Sequence, residues 1–288
     1  MAQVRDRRRG SDLLLLAVAV AAVSTSAPLI REAAAPSLLL AFWRTALATG
    51  VLAPFARPAT AGPIERRRIA LAGLLLAAHF AAWISSLSYT SVSSSVALVA
   101  TQPVWAALMS RERVDRRTWA GIGVAMVGAL AITGVDVTIS GRAVFGDVLA
   151  LAGGVLAAAY VHIGADVRRT VPNATYTTGC YGTAAVALLV AGLVSGTDLV
   201  PDHAATWGWI VAITVGPQLL GHTLINAVLQ RLGAVLVSVS ILFEIIGASL
   251  LAWWWFGEHP PAGTYPAAVL LVVGLVLVMR RPQPAVVD

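Results

Sequence analysis

The chain has no lysine and a single cysteine, Cys180, and charged residues occupy only 12% of its 288 positions. One cysteine excludes an internal disulfide and any cysteine metal cluster. The net charge of +6 rests entirely on arginine. Those arginines fall between apolar runs, which reads as loop chemistry and nucleotide bias, not as a nucleic-acid surface. Long linkers and low-complexity tracts are also missing, so no appended soluble domain is expected. What is abundant is apolar side chain, at 58% of residues with a mean hydropathy of +0.80. A soluble core cannot hide that much, and the solvent must be a bilayer.

Ten apolar spans can be drawn, each near the ~20 residues that a ~30 Å hydrocarbon core requires. They cover 13–30, 37–55, 67–88, 92–110, 118–135, 147–167, 175–195, 207–228, 234–256 and 265–280. Short separators carry breakers such as Pro36, Pro58, Pro63, Gly134, Gly141, Pro172, Pro201 and Pro260-Pro261. The basic start and the run Leu13–Val23 imitate a signal peptide. Equivalent runs continue along the whole chain, so this stretch is expected to stay as the first span.

The chain also repeats itself, and a long-period repeat outranks any other evidence about fold. Gly216, Leu219 and His222 reproduce the spacing of Gly73, Leu76 and His79. With small slips, Glu244 falls on Gln102, Glu258 on Glu112 and Gly274 on Gly128; Asp147-x-Leu-x-Leu-Ala matches Asp12-x-Leu-x-Leu-Ala. The expected domains are 11–136 and 145–281, of five spans each. An odd number of spans makes the second copy enter from the opposite face. The expected fold is therefore an all-α membrane protein of ten transmembrane helices, built as two inverted five-helix repeats, an arrangement that places substrate sites near the midplane.

Arginine placement orients it. Of the twenty, only Arg31 and Arg142 fall on one side and Arg44 within a span; the rest share the other side. Both termini are expected in the cytoplasm of a cell-membrane protein.

The residues Gly146-Asp147-x-Leu-Ala-Leu-Ala with Ala159-Tyr160, Arg44 in Ala-Phe-Trp-Arg-Thr-Ala-Leu-Ala, Tyr89-Thr90-Ser91 through Thr101-Gln102-Pro103-Val104, and Leu242-Phe243-Glu244 through Phe256-Gly257-Glu258 carry a family likeness. In their order and duplication the chain resembles the drug/metabolite transporter superfamily, as a ten-helix member with two EamA-type domains. It departs from that pattern where a Glu-Pro pair becomes Glu244-Ile245, and where Ser24, Thr25 and Ser26 stand in the region of a first-helix tryptophan. The resemblance implies export of amino acids or related metabolites.

Polar side chains inside spans are the site candidates, because a mid-membrane charge costs roughly 2.5–3.5 kcal/mol on insertion scales. Glu244 is the one carboxylate deep in a span, with Ser240, Gly247 and Ala248 on its face. It suits proton coupling, since binding a proton relieves the cost of burying its charge; a protonated interhelical hydrogen bond is the structural alternative. His79 and His222, each followed one turn later by Trp83 or Asn226, would face one cavity under the repeat. With an ordinary pKa of ~6.5 they could exchange protons or hold substrate, or they are inherited packing residues. Gln218, His222 and Asn226 form an i, i+4, i+8 stripe, and Gln102 is the neutral counterpart of Glu244. Arg44 would take a substrate carboxylate, or else snorkel or pair with Glu32. Asp12 and Asp147 read as acids at helix starts, and Trp253-Trp254-Trp255 as an interfacial belt.

The expected function is a secondary transporter of a small metabolite, working by alternating access around a midplane cavity formed by Arg44, His79, Trp83, Gln102, Gln218, His222, Asn226 and Glu244. Its expected partners are the substrate, the lipid bilayer and, as coupling ion, protons at Glu244, His222 and His79, with no cofactor, metal or nucleic acid. A membrane-embedded enzyme would need a nucleophile with its base or paired acids at one depth. A passive channel would need a charge ring or selectivity filter. No motif of either kind is visible.

Overall fold

A computed structural model of the chain describes residues 2–90, 95, 98–110, 113–133, 140–257 and 264–279. Among the described residues all regular structure is helical, as it must be where no water is available to bond stray N–H and C=O groups. The helices are α1 (Ala2–Ser24), α2 (Ser26–Ala33), α3 (Ser37–Leu52), α4 (Pro63–Ser86), α5 (Gln102–Leu108), α6 (Arg116–Thr133) and α7 (Gly141–Val167). They continue with α8 (Asn173–Ser195), α9 (Ala204–Ile213), a π-helical stretch (Thr214–His222), α10 (Thr223–Leu232), α11 (Ala234–Ile241), α12 (Phe243–Phe256) and α13 (Thr264–Met279).

Seven stretches are long and apolar enough to cross a membrane: Gly10–Ala33, Ser37–Phe55, Pro63–Ser86, Gly141–Val167, Asn173–Ser195, Ala204–Leu232 and Ala234–Trp255. Tyr265–Met279 is apolar but shorter. These correspond to the expected spans 1, 2, 3, 6, 7, 8 and 9, with the shorter helix at the tenth. The expected fourth span is described only in part, and Gly134, Asp136, Glu112, Glu258, Arg111, Arg280 and Arg281 lie outside the described residues.

Three of the long stretches are interrupted, each for a local reason. Between α1 and α2 the Ser24 hydroxyl donates to the Val20 carbonyl (2.8 Å) and that of Thr25 to Ala22 (2.7 Å), hydroxyl back-bonds that bend a helix. In the π-helical stretch Pro217 has no N–H to give, so the ladder widens around it. At Leu242, bonds from Leu242 N–H to Val239 (3.2 Å) and from Ile245 N–H to Leu242 (3.2 Å) tighten the chain and separate α11 from α12. Gly233, at φ +80°, makes the turn between α10 and α11, a conformation that side chains oppose.

Packing is layered around two apolar clusters. The larger joins α1, α3, α4, α7, α8 and α10 through residues such as Ala19, Leu40, Phe80, Tyr160, Tyr181 and Val228. The smaller joins α6, α11 and α13 through Ile122, Ala129, Val239 and Leu271. α4 lies on α7 and α8, α3 on α8, α6 on α13, and α1 on the π-helical stretch, α10 and α12. Outward-facing Leu14, Leu74, Val127, Val194 and Trp254 are exposed, the apolar belt expected against lipid. Where α12 crosses α1, a Cβ on Gly247 would collide with the Ser24 side chain. Only glycine permits that approach.

Asp12 and Asp147 are not helix caps. α1 and α7 both begin upstream, and Ser140 caps α7 by accepting from the Ala143 N–H (3.1 Å). Each acid instead reaches another part of the chain. Asp12 holds Arg231 through two bonds of 2.7 Å, and Asp147 accepts from the Thr90 hydroxyl at 2.7 Å. An acid inside a helix, where the backbone N–H groups are already bonded, does better with a donor from a distant part of the chain.

Candidate functional site

Residues from all three interruptions, and from the start of α5, line one cavity. It encloses about 970 Å³, its open mouth included, and sits at the seam of the two clusters. Val23 and Ser26 come from the first interruption, His222 from the second, Leu242 and Glu244 from the third. Broken helices put irregular backbone only where protein or a cavity surrounds it, as a membrane interior demands.

Five of the eight expected site residues line this cavity: His79, Trp83, Gln102, His222 and Glu244. His79 Nδ1 lies 2.9 Å from the Gly153 carbonyl. A carbonyl only accepts, so Nδ1 carries a proton and Nε2 is the nitrogen left to exchange one. The ring stacks on Trp83, centroids 6.0 Å apart and planes 5° from parallel. His222 meets Phe80 edge-on at 5.4 Å and Tyr160 at 6.4 Å. Gln102 donates its amide to the Ser238 hydroxyl at 3.2 Å.

Glu244 occupies the first turn of α12, where the positive end of the helix meets an acid. Its carboxylate forms no hydrogen bond and no ion pair with any described residue, although it interacts electrostatically with Arg44. A cavity-lining carboxylate in that condition has open acceptor sites.

The other three expected residues stand behind the wall. Arg44 is 1% exposed. Its Nε donates to Gln218 Oε1 at 2.8 Å, its Nη1 lies 3.5 Å from the Ser26 hydroxyl, and its guanidinium covers the Phe80 ring at 4.4 Å. Glu32 is not among its partners. Asn226 donates to the Tyr160 hydroxyl at 2.5 Å and to that of Tyr181 at 3.4 Å, and Tyr181 meets the Thr223 hydroxyl at 3.2 Å. The expected stripe of Gln218, His222 and Asn226 on one face is thus dispersed. Of the three, His222 alone lines the cavity.

Sequence reading missed Tyr160, Ser26 and Ser238, all on the cavity wall. Tyr160 had a signal, since a buried tyrosine hydroxyl normally seeks a partner. The serines had none that distinguishes them from back-bonded helix residues.

An all-helical, multi-pass membrane protein with a polar-tipped cavity at the junction of broken helices has the architecture of a membrane carrier. The chain belongs to the EamA-like transporter family, whose model matches residues 10–134 and again 144–280. It is 22% identical over 254 residues to an uncharacterized transporter of Archaeoglobus fulgidus, covering 84% of this chain and 87% of that one. A crystal structure of 20% sequence identity superposes with a TM-score of 0.78 over 93% of this chain and 97% of the other, a likeness of fold. The protein is a membrane transporter and not an enzyme.

Proposed function

We propose that the protein is a proton-coupled secondary transporter that moves a small amphipathic metabolite, such as an amino acid or its derivative, out of the cell. Two inverted five-helix halves, 11–136 and 145–281, give alternating access to the cavity, with both termini in the cytoplasm of the cell membrane. The observation that carries this reading is Glu244: a carboxylate on the cavity wall with no hydrogen-bond partner among the described residues, within electrostatic reach of Arg44. A carrier that exchanges protons for substrate needs one group whose occupancy alternates, and a structural carboxylate would have found a donor.

The pattern of contacts supports the inverted halves. α4 packs on α7, while α1 packs on the π-helical stretch and α10; under the duplication these are the same pair of helices seen twice. Gln102 and Glu244 likewise both open a helix after a break and both line the cavity. Export and the amino-acid class are supported by family membership alone.

The test is a panel of amino acids and their amines in proteoliposomes, with and without an imposed pH gradient. Accumulation that depends on the gradient is the expected result. Downhill flow indifferent to the gradient would remove the proton coupling, and no flow of any panel member would remove the substrate class.

A further inference from the structure

Resting on the reading of this cavity as the substrate site, we propose that it takes its substrate by a protonated amine and not by a carboxylate: the cargo is an amphipathic organic cation with an aromatic or apolar body.

The wall carries one formal charge, Glu244, and it is negative. Its carboxylate accepts only, and no described residue donates to it. Beside it stand Trp83, His79, Tyr160 and His222, π-faces that attract an ammonium and shelter an apolar ring. Most donors that a carboxylate would need are either bonded elsewhere or sealed from the cavity. Gln102 gives one amide N–H to Ser238, His79 gives its Nδ1 proton to Gly153, and the Trp83 Nε1–H, though unpartnered, is sealed within the wall. Arg44 is held by Gln218 and Ser26, and its remaining Nη2 is buried away from solvent. A bound acid cannot reach it. The open donors are hydroxyls, an imidazole and the second Gln102 N–H, none a fixed charge and so weaker partners for an anion beside Glu244.

Charge balance points the same way. The groups around Glu244 are Arg44 from α3, His79 from α4, Tyr160 from α7 and His222 from the π-helical stretch, and Arg44 alone carries a fixed charge. Ionised Glu244 and Arg44 sum to zero. A proton on Glu244 adds one positive charge, and an ammonium at Glu244 adds the same. The two occupants are electrically equivalent and mutually exclusive, so one replaces the other, with the displaced proton passing to water, at no change in the buried charge. An anion beside ionised Glu244 would leave two negative charges facing each other across the cavity, and beside protonated Glu244 it would still meet no charged donor on the wall.

Three probes that share one ring separate the cases: tryptamine, tryptophan and indole-3-propionate. Each is measured for equilibrium binding to the purified full chain and for flux in proteoliposomes. Tryptamine is expected to bind at least about tenfold more tightly than either acid, to compete with protons as pH falls, and to lose that preference in Glu244→Gln. Glu244→Asp should retain part of it, which guards against a folding defect in the amide. Indolepropionate or tryptophan binding as well as tryptamine would overturn the proposal, as would tryptamine binding indifferent to Glu244→Gln, or no binding of any probe. Tryptamine binding without flux would uphold the amine site and count against the transporter mechanism. Flux of tryptophan or indolepropionate without tryptamine would do the reverse.

Discussion

Arg44 has neutral groups for its hydrogen-bond partners, the Gln218 amide and the Ser26 hydroxyl, with the Phe80 face beneath it. Such an arrangement fixes the guanidinium in place and makes it a permanent background charge for the cavity, with Glu244 as its distant counter-ion. Arg44→Leu should therefore lower stability by about 2 kcal/mol, because it removes a charge-assisted bond and leaves the Gln218 oxygen buried and unpaired. Arg231→Ala breaks the pair with Asp12, yet the Arg231 side chain is 45% exposed, and its loss should cost no more than about 1 kcal/mol. Thermal unfolding of the two variants in one detergent checks the order; an equal or reversed ranking would place Arg44 in contact with the cavity contents. At this scale the sequence named the right residue types but not their partners. Polar residues in apolar runs are legible because each is expensive in lipid. Whether Arg44 turns to Gln218 or to Glu32 depends on a contact 174 positions away, and no local pattern encodes that.

The elements matter here chiefly where they fail. Three spans break beside the cavity, and the breaks bring Ser26, His222 and Glu244 to its wall. Seven of the ten span positions were legible from hydropathy and length, but the break at Ser24-Thr25-Ser26 was not foreseen. The π-helical register around Pro217 was not legible, since proline foretells a disturbance without saying how the ladder recloses. The close crossing of α1 and α12 gives a paired prediction. Gly247→Ala drives a methyl into Ser24 and should destabilise by about 1–3 kcal/mol. Gly123→Ala, in α6, meets nothing within 4 Å and should be neutral or stabilising by up to ~1 kcal/mol. Melting curves decide; a neutral Gly247→Ala would mean that α12 stands away from α1.

For the whole molecule, the duplicated acids supply a pair of ties. Asp12 in α1 holds the end of α10 through Arg231, and Asp147 in α7 holds Thr90 beyond the end of α4. In the proposed inverted arrangement these ties lie on opposite faces. Asp12→Asn should then raise the reactivity of a cysteine at His222, in a Cys180→Ser background, toward thiol reagent added from the cytoplasmic side, and Asp147→Asn from the other side. The same side for both would contradict the inverted halves. The duplication itself was legible in the sequence because it repeats polar landmarks at fixed spacing; the ties were misread as helix caps because α1 and α7 extend upstream of the apolar runs. The account as a whole depends on Glu244 being the group that alternates between proton and substrate. Proteoliposomes holding an imposed pH gradient and a transported member of the amine and amino-acid panel measure this directly, with Glu244→Gln and Gln102→Ala beside the parent protein. The account predicts that Glu244→Gln inserts normally and exchanges substrate downhill but loses gradient-driven accumulation, while Gln102→Ala loses less. Accumulation by Glu244→Gln at the parental level would contradict it.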